Sequence, residues 1–317
     1  MVQKGPDRGI IHFADRLAQA VKAKKTPAIV GIDPRVSELP EELVAGVDLA
    51  NPLVQAGVVE KFCGEVIDAV ADLVSSVKIQ LAFFECLGPP GLEALQTVIR
   101  YARAKGLLVI LDGKRGDIGS TAEAYARAYL GGEGAAPWPG DALTIQPYLG
   151  GDAMEPFLTT ARERGCGVFV LVRTSNPGAR DFQDLSGTDG IPLYEKVAEW
   201  VEKKSLESCG ECGLGFVGAV VGATYPEDLI RLRRLMPHAW ILVPGYGAQG
   251  GSAADVAGAF LSSGLGAIVN NSRGIIFAFK NPAYRSVVMQ KGWQSAVRRA
   301  AEDMIADLRS DTPAARL

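Results

Sequence analysis

Histidine and cysteine are both scarce in this chain. Its 317 residues include only His12 and His238, and five cysteines. An odd number of scattered cysteines is no disulfide framework. Cys63, Cys86 and Cys166 read as buried small apolar residues. The Cys209-x-x-Cys212 spacing suits half a zinc site or a redox pair, yet no second pair and almost no histidine accompany it. A turn bordering a strand is the reading favoured there, and no metal site is expected. Long apolar runs are also missing. No stretch reaches the roughly 18 residues that a membrane-spanning helix needs. Residues 1–25 carry charge throughout and lack the apolar centre of a signal peptide, so a cytoplasmic protein without membrane contact is expected. Positive charge is not in excess. A formal net charge of −3 provides neither a basic field for nucleic acid nor a polybasic membrane patch. An anionic substrate would have to be held by a local site.

What the chain does contain is apolar sequence in bursts, with 48% hydrophobic residues and 37 glycines. β-Branched runs recur at 28–33, 76–82, 107–112, 141–147, 167–173, 215–222, 240–246 and 266–271. Between them lie stretches with apolar residues every three or four positions, such as GLEALQTVIRYARAKG and PEDLIRLRRLM. Continuous apolar strands alternating with helices imply a parallel sheet covered on its outer face. Eight such units predict an α/β fold, a (β/α)8 TIM barrel. Ser120-x-x-Glu123, Asp152-x-x-Glu155 and Ser252-x-x-Asp255 each follow a strand and predict helix starts by capping. Residues 9–24 predict an extra N-terminal helix. The tail after about residue 280 predicts a helical C-terminal extension with a frayed, polar end. Segment 131–140 (GGEGAAPWPG) is the most loop-like insert. With no low-complexity linker and no repeat beyond the βα alternation, a single domain over 1–317 is expected.

In such a barrel, chemistry belongs at the C-terminal ends of the strands. The unusual polar residues gather there. Asp33 ends the first run, Lys78 lies inside the second and Asp112 ends the third, with Lys114 and Asp117 following in LDGKRGDIGST. A periodicity of two places Asp112 and Lys114 on one side of their strand. A lysine within VKIQ needs a partner, because unpaired buried charge is strongly penalised. The loop PGYGAQGG, with Gly245, Gly247, Gly250 and Gly251, leaves backbone amides approachable before a helix start at Ser252. Free amides at a helix N-terminus attract phosphate, and Arg273 after the next strand can add a bidentate contact. The residues therefore predict a barrel enzyme for a phosphorylated small molecule, built around a lysine–aspartate cluster. They do not choose the reaction. A metal-dependent sugar-phosphate decarboxylase or epimerase shares Asp-x-Lys-x-x-Asp, and a nucleotide-binding sensor would share the phosphate loop.

At these residues the chain resembles orotidine 5′-phosphate decarboxylase, in the longer bacterial branch called type 2. The likeness spans about residues 10–285 through VGIDP (30–34), SVKIQ (76–80), LDGKRGDIGSTAEAY (111–125), LTIQPYLGGDA (143–153), RTSNPGARDFQ (173–183), VVGATYPEDL (220–229), LVPGYGAQGG (242–251) and NNSRGI (270–275). The resemblance implies decarboxylation to UMP without a cofactor. Lys114 would meet and protonate a carbanion at C6, Asp112 would lie against the departing carboxylate, and Lys78 would complete the charged row. Asp33 and Lys78 would hold the ribose hydroxyls and Ser175 the pyrimidine edge. Gln249 and Arg273 would hold the phosphate beside the Gly247 loop. Asp117 and Thr121 would reach into a neighbouring subunit's site, so a homodimer is implied.

Overall fold

The structure is a computed structural model that describes residues 12–132, 134–223, 226–247 and 251–317. Among these, eight parallel strands close in sequence order into a barrel: β1 (Ala28–Ile32), β2 (Ser76–Gln80), β3 (Leu108–Arg115), β4 (Ala142–Ile145), β5 (Gly167–Arg173), β6 (Val217–Val221), β7 (Ile241–Val243) and β8 (Ala267–Asn271). Both faces of these strands are covered, which is why the runs are apolar throughout rather than alternating. Most strands stop a residue or more short of the apolar runs, because the last residues of each run peel away into the mouth of the barrel.

Strand β3 behaves differently. Asp112 does not end it; the strand continues to Arg115. Opposite β4 the register moves from Leu111↔Leu143 to Arg115↔Ile145, so a four-residue step on β3 faces a two-residue step on β4. This bulge bends the strand and re-aims its side chains. A smaller one, from Leu171↔Val220 to Arg173↔Val221, ends β5.

The N-terminal helix expected over 9–24 is present as Phe13–Lys24, with 9–11 outside the described residues, and closes the lower end of the barrel. Phe13 meets Phe169 edge-on at 6.1 Å. A side chain at Gly167 would strike the Phe13 ring, so the glycine lets the helix sit this close. Beneath it, the buried Asp141 carboxylate binds Arg16 and Arg103, each at 2.7 Å.

The C-terminal extension corrects the expectation of a frayed tail. Helix Trp293–Asp311 buries eight side chains along one face, and Trp293 stacks on Phe62 at 5.3 Å. An apolar stripe of this length covers the helix Pro52–Val70 and the flank of β1 instead of fraying. Two of the three expected caps are also absent. Helices Gly119–Tyr129 and Gly151–Arg164 start one residue before Ser120 and Asp152, which places both inside the first turn without a capping bond. Gly150, at φ +98°, allows the earlier entry in the second case. Only Ser252 and Asp255 form the reciprocal capping box.

The 131–140 segment is tied down at both ends. Leu130 bridges to Gly140, Trp138 stacks on Tyr129 at 5.5 Å, and its indole donates to the Leu92 carbonyl. Cys209 bridges to Gly215 just before β6, which is the turn beside a strand expected for the cysteine pair. Cys63 and Cys166 are buried, whereas Cys86 is exposed, since it follows the short helix Ala82–Glu85 at the mouth of the barrel.

Candidate active site

A cavity of about 360 Å³ opens where the strands end. This is the size range of small-molecule sites. One side of its wall is polar, from Lys78 on β2, Asp112 and Lys114 on β3, and Thr144 on β4. Across the barrel, Leu171, Val220, Leu242 and Pro244 supply an apolar wall. Thr174, Ser175 and Asn176, just after β5, complete the lining.

The polar wall is organised around one carboxylate. Asp112 Oδ2 accepts from Lys78 Nζ at 2.8 Å and from Gln80 Nε2 at 3.2 Å. Its Oδ1 accepts from Lys114 Nζ at 2.6 Å and Thr144 Oγ1 at 2.9 Å. Burial pushes the Asp112 carboxyl upward, but the two ammonium groups outweigh it and hold the group well below the usual carboxylate range. For Lys78 burial acts downward, and the attraction of Asp112 and Asp33 more than reverses it. Both groups therefore stay charged at neutral pH. The Asp33 oxygen Oδ1 is buried with no hydrogen-bond partner among the described residues.

Lys114 reaches Asp112 through an unusual backbone. Its φ is +46°, in the left-handed region that a side chain other than glycine's rarely enters. Such a conformation costs about 1–3 kcal/mol and persists only where the surroundings enforce it. The β3 bulge and a bond from the Lys114 amide to Thr144 Oγ1, at 2.9 Å, are what enforce it.

The segment after β5 is clipped into place by neighbours. Gln183 accepts from the Thr174 amide at 3.1 Å and donates to its hydroxyl at 2.7 Å. The Arg173 guanidinium beneath it pairs with Asp184 and Asp228 and lies 4.7 Å from the Tyr194 ring centre. Buried, paired Arg173 fixes where Ser175 and Asn176 emerge.

Of the residues singled out in the sequence, the cavity wall unites Lys78, Asp112, Lys114 and Ser175. Asp33 follows β1 beside Lys78. Asp117 lies in the loop after β3, bonds to the Ile118 amide and is not part of this wall. Thr121 is exposed in the next helix. Arg273 opens the short helix Arg273–Ile276 after β8 and is exposed, also outside the wall. Gly247 has φ +72°, a conformation that favours glycine, and a Cβ there would sit 3.3 Å from the side-chain nitrogen Nδ2 of Asn271. Gln249 and Gly250 lie outside the described residues. Sequence reasoning assigned nothing to Thr144, Gln80 or Thr174. A hydroxyl inside the buried run LTI carries the same signal as the lysine inside VKI, and could have been found by it.

A closed parallel barrel with a salt-bridged carboxylate between two lysines at its C-terminal mouth places the chain among (β/α)8-barrel enzymes with a charged pocket. Comparison with known proteins narrows the class. The model of the orotidine 5′-phosphate decarboxylase / HUMPS family matches residues 29–285. The chain is 50% identical over 297 residues to orotidine 5′-phosphate decarboxylase of Rhodopirellula baltica, covering 93% of this chain and 98% of that protein. To the Deinococcus radiodurans protein of the same name it is 45% identical over 267 residues, covering 84% and 89%. The solved structure of Leishmania donovani OMP decarboxylase superposes with a TM-score of 0.71 at 32% identity, over 95% of this chain and 98% of that one. The chain belongs to the orotidine 5′-phosphate decarboxylase / HUMPS family.

Proposed function

We propose that this chain, as a single barrel domain in the cytoplasm, converts orotidine 5′-phosphate to UMP and CO2, the last step of de novo pyrimidine nucleotide synthesis. The observation that carries the reading is the Asp112 carboxylate gripped by Lys78 and Lys114 at the cavity wall. Breaking the bond from C6 to the carboxyl carbon leaves an electron pair in the ring plane, where the ring π system does not delocalise it directly. A cation already in place stabilises that pair without waiting for solvent to reorganise. The Lys114 ammonium occupies such a position and then transfers a proton to C6, while CO2 departs. Its amine regains a proton from water. Asp112 beside the substrate carboxylate adds ground-state repulsion that is relieved as CO2 leaves. The chemistry calls for no redox step and no external electron sink.

The remaining roles follow from position and unmet bonding. The unpartnered Asp33 oxygen and Lys78 suit the ribose hydroxyls. Ser175 suits the pyrimidine edge. Gly247 and Arg273, on the loops after β7 and β8, suit the phosphate, with Gln249 beside them. Asp117 and Thr121 lie outside their own cavity wall and are assigned to the site of a second copy. A homodimer formed at this end of the barrel is supported by Ile118, Tyr148 and Phe182, large apolar side chains that are 61%, 81% and 62% exposed on neighbouring mouth loops. With Asp117 added, the row alternates acid and base across the subunit boundary.

The test is incubation of purified protein with orotidine 5′-phosphate in excess chelator, followed by ultraviolet absorbance and chromatography. Stoichiometric UMP, at a rate the chelator does not alter, is expected. Absence of UMP would overturn the reading, and loss of activity on chelation would favour a metal-dependent sugar-phosphate reaction.

A further inference from the structure

Among the described residues, Thr144 hydrogen-bonds to both members of the Lys114–Asp112 pair. It lies on β4, is 1% exposed, and its Oγ1 is 2.9 Å from the Lys114 amide nitrogen and 2.9 Å from Asp112 Oδ1. The proton inventory fixes the direction of both bonds. A backbone N–H can only donate, so the hydroxyl accepts from Lys114 and must spend its single proton on the carboxylate. One side chain thereby ties the strained backbone of Lys114 to the acid that its ammonium grips.

The bulge explains why a side chain is needed there. Between Leu111 and Arg115 the β3–β4 ladder is out of step, so the regular backbone pairing is interrupted at Lys114. A buried amide without a partner is costly, and a hydroxyl from the facing strand satisfies it. With φ at +46°, the Lys114 backbone would relax toward the ordinary extended region if this bond were lost. Relaxation would straighten the bulge and carry the ammonium away from Asp112 Oδ1.

We propose that Thr144 is a positioning residue for the decarboxylation, holding Lys114 in its left-handed conformation through a hydroxyl that bridges the Lys114 amide and the Asp112 carboxylate. The inference rests on the function proposed above. Thr144 need not touch the reacting atoms; it acts through Lys114.

The test compares Thr144→Val, which keeps the shape and removes the hydroxyl, with Thr144→Ser, which keeps the hydroxyl. For Val, kcat should fall about 10- to 100-fold, the size of a lost hydrogen bond to a charged group, while KM and UMP affinity stay within about twofold. Ser should restore most of kcat. A Val variant with near-normal kcat, or a Ser variant as impaired as Val, would overturn the proposal. So would equal losses in UMP binding and kcat in Val, because that pattern marks general damage to the barrel. Amide hydrogen exchange at Lys114 provides a readout independent of turnover: protection should drop in Val and persist in Ser. If the unaltered protein makes no UMP, the functional reading fails by itself, and the exchange result still decides whether Thr144 holds Lys114.

Discussion

The ammonium of Lys114 lies 2.6 Å from the carboxylate of Asp112, although the two residues are only two apart on one strand. In a regular strand such neighbours project in parallel from Cα atoms about 6.6 Å apart. Here the bulge and the left-handed turn at Lys114 fold the longer side chain back onto the shorter. The carboxylate meets Lys78 on its other oxygen, so the row has little freedom to rearrange. Several measurable consequences follow from a row this tightly tied.

Removing the central acid should harm folding as well as chemistry. Asp112→Ala leaves the buried Lys78 ammonium without its nearest counter-charge. Losing one member of a buried pair costs about 3–5 kcal/mol. Denaturant melts should show a loss of that order, and an unchanged midpoint would mean that water reaches Lys78 freely.

Acid should dissect the same contact. The folded carboxyl of Asp112 is held below its ordinary value, so its contribution is complete above the unfolded pKa of about 3.9 and disappears as pH falls through the folded value. The stability gap between the parent protein and Asp112→Asn should be constant from about pH 5 to pH 8 and shrink below about pH 4. Thermal melts of both proteins across this range measure it. A gap that stays level through pH 4, or widens on acidification, would show that Asp112 is not depressed.

Phosphate recognition should reside in Arg273 and be separable from turnover. Arg273→Ala is expected to raise KM for orotidine 5′-phosphate by roughly 30-fold, about 2 kcal/mol for a lost charge-assisted contact. Affinity for uridine, which lacks the phosphate, should not move. Equal losses for nucleotide and nucleoside would remove Arg273 from the phosphate site.

The proposed sharing of sites between two copies makes a prediction about mixtures. Lys114→Ala and Asp117→Ala homodimers should each be severely impaired. After subunit exchange, each hybrid has one intact site, so about a quarter of parental activity should return in an equal mixture. No recovery despite proven exchange would place Asp117 in its own subunit's site or in none.

Much of this arrangement is legible in the amino-acid sequence. Apolar runs alternating with helical spacing indicate the barrel because parallel strands are buried on both faces, and the lysine within VKIQ stands out against that background. What escaped is what depends on partners distant in sequence. The extension of β3 past Asp112, the bulge, and the Thr144 bond arise from β4 facing β3, which no local pattern encodes. Capping pairs at Ser120 and Asp152 failed for a related reason: adjacent backbone geometry started both helices early. The tail after about residue 280 reads as a helix with a frayed, polar end, yet the apolar stripe of helix Trp293–Asp311 matches a surface offered by Phe62 and its neighbours.

The most direct test is a comparison of Lys114→Ala with the parent protein in two assays, UMP binding and single-turnover production of CO2 from carboxyl-labelled orotidine 5′-phosphate. Loss of a fixed cation that is also the proton donor should slow CO2 release by about a thousandfold or more. UMP should still bind measurably. Release of CO2 at the parental rate by the variant would contradict the account at its centre.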